Sequence, residues 1–85
     1  MLNNTLQALS DPTRRKILEL LKKKDMPAGE LGKHFSITPP SMSHHLGVLK
    51  GANLVTYRRQ GQELIYSLNL SVFEEAAKAI IKFFK

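Results

Sequence analysis

Eighty-five residues suffice for one small domain that folds alone with little surplus core, and no separate ligand-binding domain is expected within them. Thirteen Lys and Arg against seven Asp and Glu give a net charge of +6, which favours a polyanionic partner, either nucleic acid or an acidic membrane surface. The absence of cysteine excludes disulfides, thiolate metal sites and cysteine redox chemistry. No apolar run approaches the ~20 residues that span a bilayer, and the first residues lack a signal-peptide pattern, so a cytoplasmic protein is expected.

Leu2, Leu6 and Leu9 recur at helical spacing and predict a short first helix ending near Ser10. Asp11 and Pro12 then open a second helix as cap and first-turn proline, with Ile17, Leu18 and Leu21 as its apolar stripe. Lys22, Lys23 and Lys24 close it against the negative end of the helix dipole. A third, short helix is predicted from Pro27 through Leu31 to Phe35, with Ser36 and Ile37 as the turn that follows.

The segment from Thr38 to Leu49 is the most informative. Thr38 suits an N-cap and Pro39 the first helical position, where a missing N–H costs nothing. Met42, Leu46 and Leu49 form one buried stripe and leave Pro40, Ser41, Ser43, His44 and Gly47 on other faces, all small or polar and none acidic. Two short helices joined by so brief a link make a helix-turn-helix pattern. From Leu31 to Gln62 there is no Asp or Glu, while Lys33, Lys50, Arg58 and Arg59 lie in that span, so the segment is wholly positive.

Gly51 is expected to end this helix. Leu54 to Gln60 and Glu63 to Leu68 predict a β-hairpin turning at Gly61, whose tip projects Arg58, Arg59, Gln60 and Gln62 as a basic wing. Ser71 and Glu74 form a capping-box pattern ahead of a last helix. On it Phe73, Ala76, Ala77, Ile80, Ile81 and Phe84 make a wide apolar face that something must cover. The fold expected is mainly α with a small β-hairpin, a winged helix-turn-helix occupying residues 1–85 as a single domain.

His44 and His45 are adjacent and point about 100° apart on a helix, so one faces outward while the other, His45, belongs at the edge of the core. His34 has no carboxylate cluster beside it, and the three histidines show no metal-ligand spacing. Catalysis has no support, because Ser43 and His44 are helix neighbours rather than an oriented nucleophile and base, and no glycine-rich phosphate loop is present. Two alternatives to DNA binding are a winged-helix protein-interaction module and a last helix that binds a lipid or membrane-protein surface through Ile80 to Lys85.

Several strings then match one family together: Ala8 to Leu18 (ALSDPTRRKIL), Ser43-His44-His45-Leu46, Leu49-Lys50, and Arg58-Arg59-Gln60-Gly61 closing on Ile65-Tyr66-Ser67-Leu68. From about Leu2 to Phe84 the chain resembles the arsenical-repressor (ArsR) family of bacterial winged-helix repressors, and within it the compact, cysteine-free autorepressors. The resemblance implies a homodimer paired through the first and last helices, with Leu2, Leu6, Phe73, Ala77, Ile80, Ile81 and Phe84 at the interface. It implies two recognition helices in successive major grooves of a double-stranded operator with two-fold symmetry. Thr38, Pro40, Ser41, Ser43 and His44 would face the groove, and Arg58, Arg59 and Gln60 would reach backbone or minor groove. The family's metal-sensing cysteine pair would fall at about Pro27 and Gly29, neither able to ligate, and its last-helix site would have Glu74 and Glu75 but no histidine. No metal and no cofactor are therefore expected. Should a small membrane protein be encoded beside it, sequestration of the repressor at the membrane is the leading form of regulation.

Overall fold

The computed structural model describes residues 2–85, with only the backbone of Leu2, so the interface contact expected of that side chain lies outside the described residues. In chain order the elements are α1 (Leu2–Leu9), α2 (Pro12–Lys23), β1 (Met26–Pro27), α3 (Ala28–Gly32), α4 (Pro39–Gly51), β2 (Val55–Gln60), β3 (Glu63–Leu68) and α5 (Leu70–Phe83). All the predicted helices form. The hairpin gains a partner that the sequence pattern did not show: β1 pairs with β3, giving an antiparallel sheet in the order β1-β3-β2.

The core is built by Ile17, Leu18 and Leu21 of α2, Leu31 of α3, Met42, Leu46 and Leu49 of α4, and Leu54, Val55 and Tyr66 around the sheet. In α1 the inner face is Thr5 and Ala8, both buried, with Leu9 half-buried beside them. Leu6, grouped with Leu9 by leucine spacing alone, instead turns outward and is 49% exposed.

The caps explain where the helices begin and end. Asp11 Oδ2 accepts from the Arg14 backbone N–H at 3.0 Å, and Thr38 Oγ1 accepts from the Ser41 N–H at 3.3 Å, each with a proline in the first turn. Gly51 is not the cap of α4 but its last helical residue. The stop is made by Asn53 at φ 60°, with its N–H bonded to the Lys50 carbonyl and the Leu54 N–H to the Leu49 carbonyl. This pair of bonds is a Schellman motif, sealed by the fully buried Leu49 and Leu54, and it removes Leu54 from the strand predicted to contain it. At the other hairpin end Gly61, φ 64°, takes the first of two loop positions between the paired Gln60 and Glu63, as a type II′ turn requires.

α3 ends at Gly32, three residues before the predicted Phe35, and the chain continues in single turns from Lys33 to Phe35. Lys16 of α2 secures this link: its ammonium donates to the His34 carbonyl at 3.4 Å and lies 5.2 Å from the Phe35 ring centroid. α5 starts at Leu70 with Asn69 at the cap position and no side-chain cap bond, so Ser71 lies inside the helix and the expected capping box is not formed. Val72, Phe73 and Ala76 hold α5 to the body. Beyond them Ile80, Ile81, Phe83 and Phe84 are exposed.

Candidate nucleic-acid interface

The outer side of α4 follows from its inner one. With Met42, Leu46 and Leu49 in the core, Pro40, Ser43, His44, Gly47 and Lys50 line up as one exposed ridge. Thr38 stands exposed at the start of that ridge, its hydroxyl oxygen accepting the cap bond while the hydroxyl proton stays available to donate. Ser41 is half-buried and sits at the flank of the ridge rather than on its crest. His44 is exposed; His45 is half-buried, as the helical angle between them predicts.

At the far end of the ridge Lys50 meets the wing. Its ammonium donates to the Tyr57 hydroxyl at 2.7 Å and lies 4.2 Å from that ring's centroid, while Tyr57 in turn stands 5.6 Å from the Tyr66 ring. The hydrogen bond from Lys50, then its charge, holds the Tyr57 hydroxyl below its ordinary pKa of 10.0. Burial pushes Tyr66 the other way. The contact braces β2 against α4 and fixes the angle between ridge and wing.

Alternation along β2 divides the wing residues that sequence reasoning had grouped. Thr56, Arg58 and Gln60 share one face, Tyr57 and Arg59 the other. Arg58 bonds Asp25 Oδ2 at 3.2 Å and Ser67 Oγ at 3.5 Å, tying the wing to the loop after α2. Arg59 shares the face of Tyr57, toward the end of α4, is exposed, and has no hydrogen bond or ion pair among the described residues. Gln60 is exposed at the tip. The structure therefore groups Arg59 with the ridge, and leaves Arg58 engaged elsewhere.

Three further residues belong to this surface or support it. Lys50 was detectable, since it continues the ridge of Ser43 and Gly47 at helical spacing, whereas the role of Tyr57 comes from its tertiary contact with Lys50. Arg14, only 9% exposed, bonds two carbonyls of α1 and the ring of His45. Its signal was position: Arg14, Ile17, Leu18 and Leu21 fall on one helical face, and a guanidinium on a buried stripe demands acceptors. Among the described residues no group of three or more His, Cys, Asp or Glu could hold a metal ion, and no helix is long and apolar enough to cross a membrane.

A ridge free of carboxylates beside a basic hairpin on a helix-turn-helix frame is the arrangement of a DNA reader, and likeness to known proteins agrees with it. Residues 11–57 match the family described as "Bacterial regulatory protein, arsR family". The chain is 49% identical to the transcriptional repressor SdpR of Bacillus subtilis (strain 168) over 96% of its own length and 91% of that protein's. A crystal structure of an ArsR family transcriptional regulator superposes with a TM-score of 0.90 at 28% identity, covering 95% of this chain and 89% of the other. The homodimeric winged helix-turn-helix DNA-binding domain of a possible ArsR-family regulator from Mycobacterium bovis shares the fold, with a TM-score of 0.79 at 24% identity over 93% of this chain and 74% of that one. The chain belongs to the arsR family of bacterial regulatory proteins.

Proposed function

We propose that residues 1–85 act as one unit, a homodimeric transcriptional repressor that binds a two-fold symmetric operator and represses transcription, its own gene included, without a metal signal. The observation that carries this reading is the α4 ridge of Pro40, Ser43, His44, Gly47 and Lys50 set beside Arg59 of the wing, with Gln60 exposed at the hairpin tip. Ser43 and His44 can donate to base edges, Pro40 offers an apolar ring to a thymine methyl, and Thr38, Ser41 and Arg59 bond phosphate. Small side chains on the ridge let the helix sink into the groove.

Pairing is supported by the exposed apolar surface of Leu6, Ile80, Ile81 and Phe84 on the two terminal helices, with Phe73 and Ala77 on the same stripe. An open cleft of about 420 Å³ lined by Leu9, Leu18, Leu68, Leu70 and Phe73 adjoins it. In the proposed dimer a two-fold axis through this surface would present two α4 helices to one palindrome. Metal independence is supported by Pro27 and Gly29, which have no ligating side chains, and by a last helix without histidine.

Selection from random DNA duplexes tests the reading. The expected result is an inverted repeat whose half-sites lie about one helical turn, ~10 bp, or a small multiple apart. Recovery of no consensus, with binding abolished by competitor DNA, would refute it.

A further inference from the structure

Resting on the reading of α4 as the recognition helix, we propose that Arg14 and His45 form a positioning link that sets this helix against α1, so that operator specificity depends on two residues that do not touch DNA. The Arg14 guanidinium is buried at the meeting of three helices. Its Nε donates to the Ala8 carbonyl at 2.9 Å, its Nη2 to the Gln7 carbonyl at 3.1 Å, and its Nη1 lies 3.2 Å from His45 Nδ1. Both carbonyls belong to the last turn of α1, at its negative dipole end; that of Gln7 also accepts from the Ser10 N–H at 3.1 Å and hydroxyl at 2.6 Å. A guanidinium can only donate. The contact with His45 is therefore one in which Nδ1 accepts.

Asp11 lies beside this pair. The same Oδ2 that caps α2 lies 3.9 Å from His45 Nδ1, so α1, α2 and α4 converge on one cluster of a carboxylate, a guanidinium and an imidazole. The guanidinium is planar and its donors fan out at fixed angles, so α4 cannot turn or slide against α1 without breaking at least one of these bonds. His45 itself is half-buried, but its neighbour His44 stands on the ridge with the two ring centroids 5.5 Å apart. Through this pair the seating of α1, which carries the exposed Leu6, determines where the ridge lies.

The test uses His45→Leu, His45→Gln and Arg14→Lys in the full chain, with operator and random-sequence DNA titrated at one salt concentration. Leucine removes the acceptor. Glutamine keeps an oxygen that can accept from Arg14, and lysine keeps the charge but carries its three donors on one nitrogen, which cannot replace the three nitrogens of the planar fork. His45→Leu and Arg14→Lys are expected to weaken operator binding by about tenfold or more with random-sequence binding unchanged, and His45→Gln to restore most of the loss. A merely structural role lowers the active fraction and so reduces both affinities alike, leaving their ratio constant. That result would overturn the link, as would a specificity ratio that survives both the leucine and lysine variants. A parent protein without operator preference would overturn the link together with the reading of α4, which keeps the two failures distinct.

Discussion

Phe84→Ala isolates the assembly step, because the side chain it removes is 85% exposed and contributes almost nothing to the core of one protomer. Complete burial of a phenylalanine is worth ~1.5–3 kcal/mol, and nearly the whole of Phe84 remains to be buried. In a two-fold interface each residue counts twice, so the substitution removes roughly 2–4 kcal/mol after allowing for the methyl that alanine keeps. That corresponds to about a 30- to 1000-fold rise in the dimer dissociation constant. Ile81, 53% exposed, and Ile80, 37% exposed, should follow in that order with smaller effects, since less of each is left to cover. Sedimentation equilibrium over a concentration series gives the constant directly. Thermal unfolding should show the concentration dependence of Tm weakening while the dilute-limit Tm is unchanged. An unaltered dimer constant, or a dilute-limit Tm that falls as far as the concentrated one, would refute the placement of Phe84 in the interface.

Arg59→Ala should weaken operator and random DNA alike and lower the salt slope by about one, whereas Ser43→Ala or His44→Ala should act mainly on the operator at ~1–3 kcal/mol, as measured by affinity across salt concentrations. Arg58→Ala should move the salt slope less than Arg59→Ala, because Arg58 is engaged by Asp25. Low-micromolar Zn(II), Cd(II), Ni(II) or arsenite should leave the anisotropy of labelled operator bound to the protein unchanged. A stoichiometric fall would expose a site among His34, His44 and His45. The Asp11 carboxyl lies below its ordinary value of 3.8, chiefly because it accepts the Arg14 backbone N–H, so its contribution to stability is full above that value and is lost as pH falls through the lower folded value. Asp11→Asn, which still caps, should flatten the acid limb of a stability–pH curve at little loss near neutrality.

Local rules carry far in this chain. Caps such as Asp11 and Thr38 bond the backbone three residues away, the stripes on α2 and α4 follow helical geometry alone, and Gly61 has the turn it must. Where two local signals competed, the tertiary environment chose: Asn53 rather than Gly51 stops α4, because the Schellman bonds also bury Leu54 against Leu49. The capping box at Ser71 failed for a similar reason, since the Asn69 N–H is taken by the Leu54 carbonyl at 2.9 Å and the helix begins directly after it.

What the sequence by itself determined is the order of the helices and the hairpin, the inner and outer faces of α4, the positive character of the segment from Leu31 to Gln62, and an apolar last helix that needs a partner. Each depends on spacing along a single element or on charge summed over one segment. Only the tertiary structure decided that Leu6 faces out and Thr5 in, that β1 joins the wing, that Arg58 goes to Asp25 while Arg59 stays with the ridge, and that Arg14 joins α1 to His45. These partners lie six to more than thirty residues apart, and periodicity says which way a side chain points but not what stands opposite it.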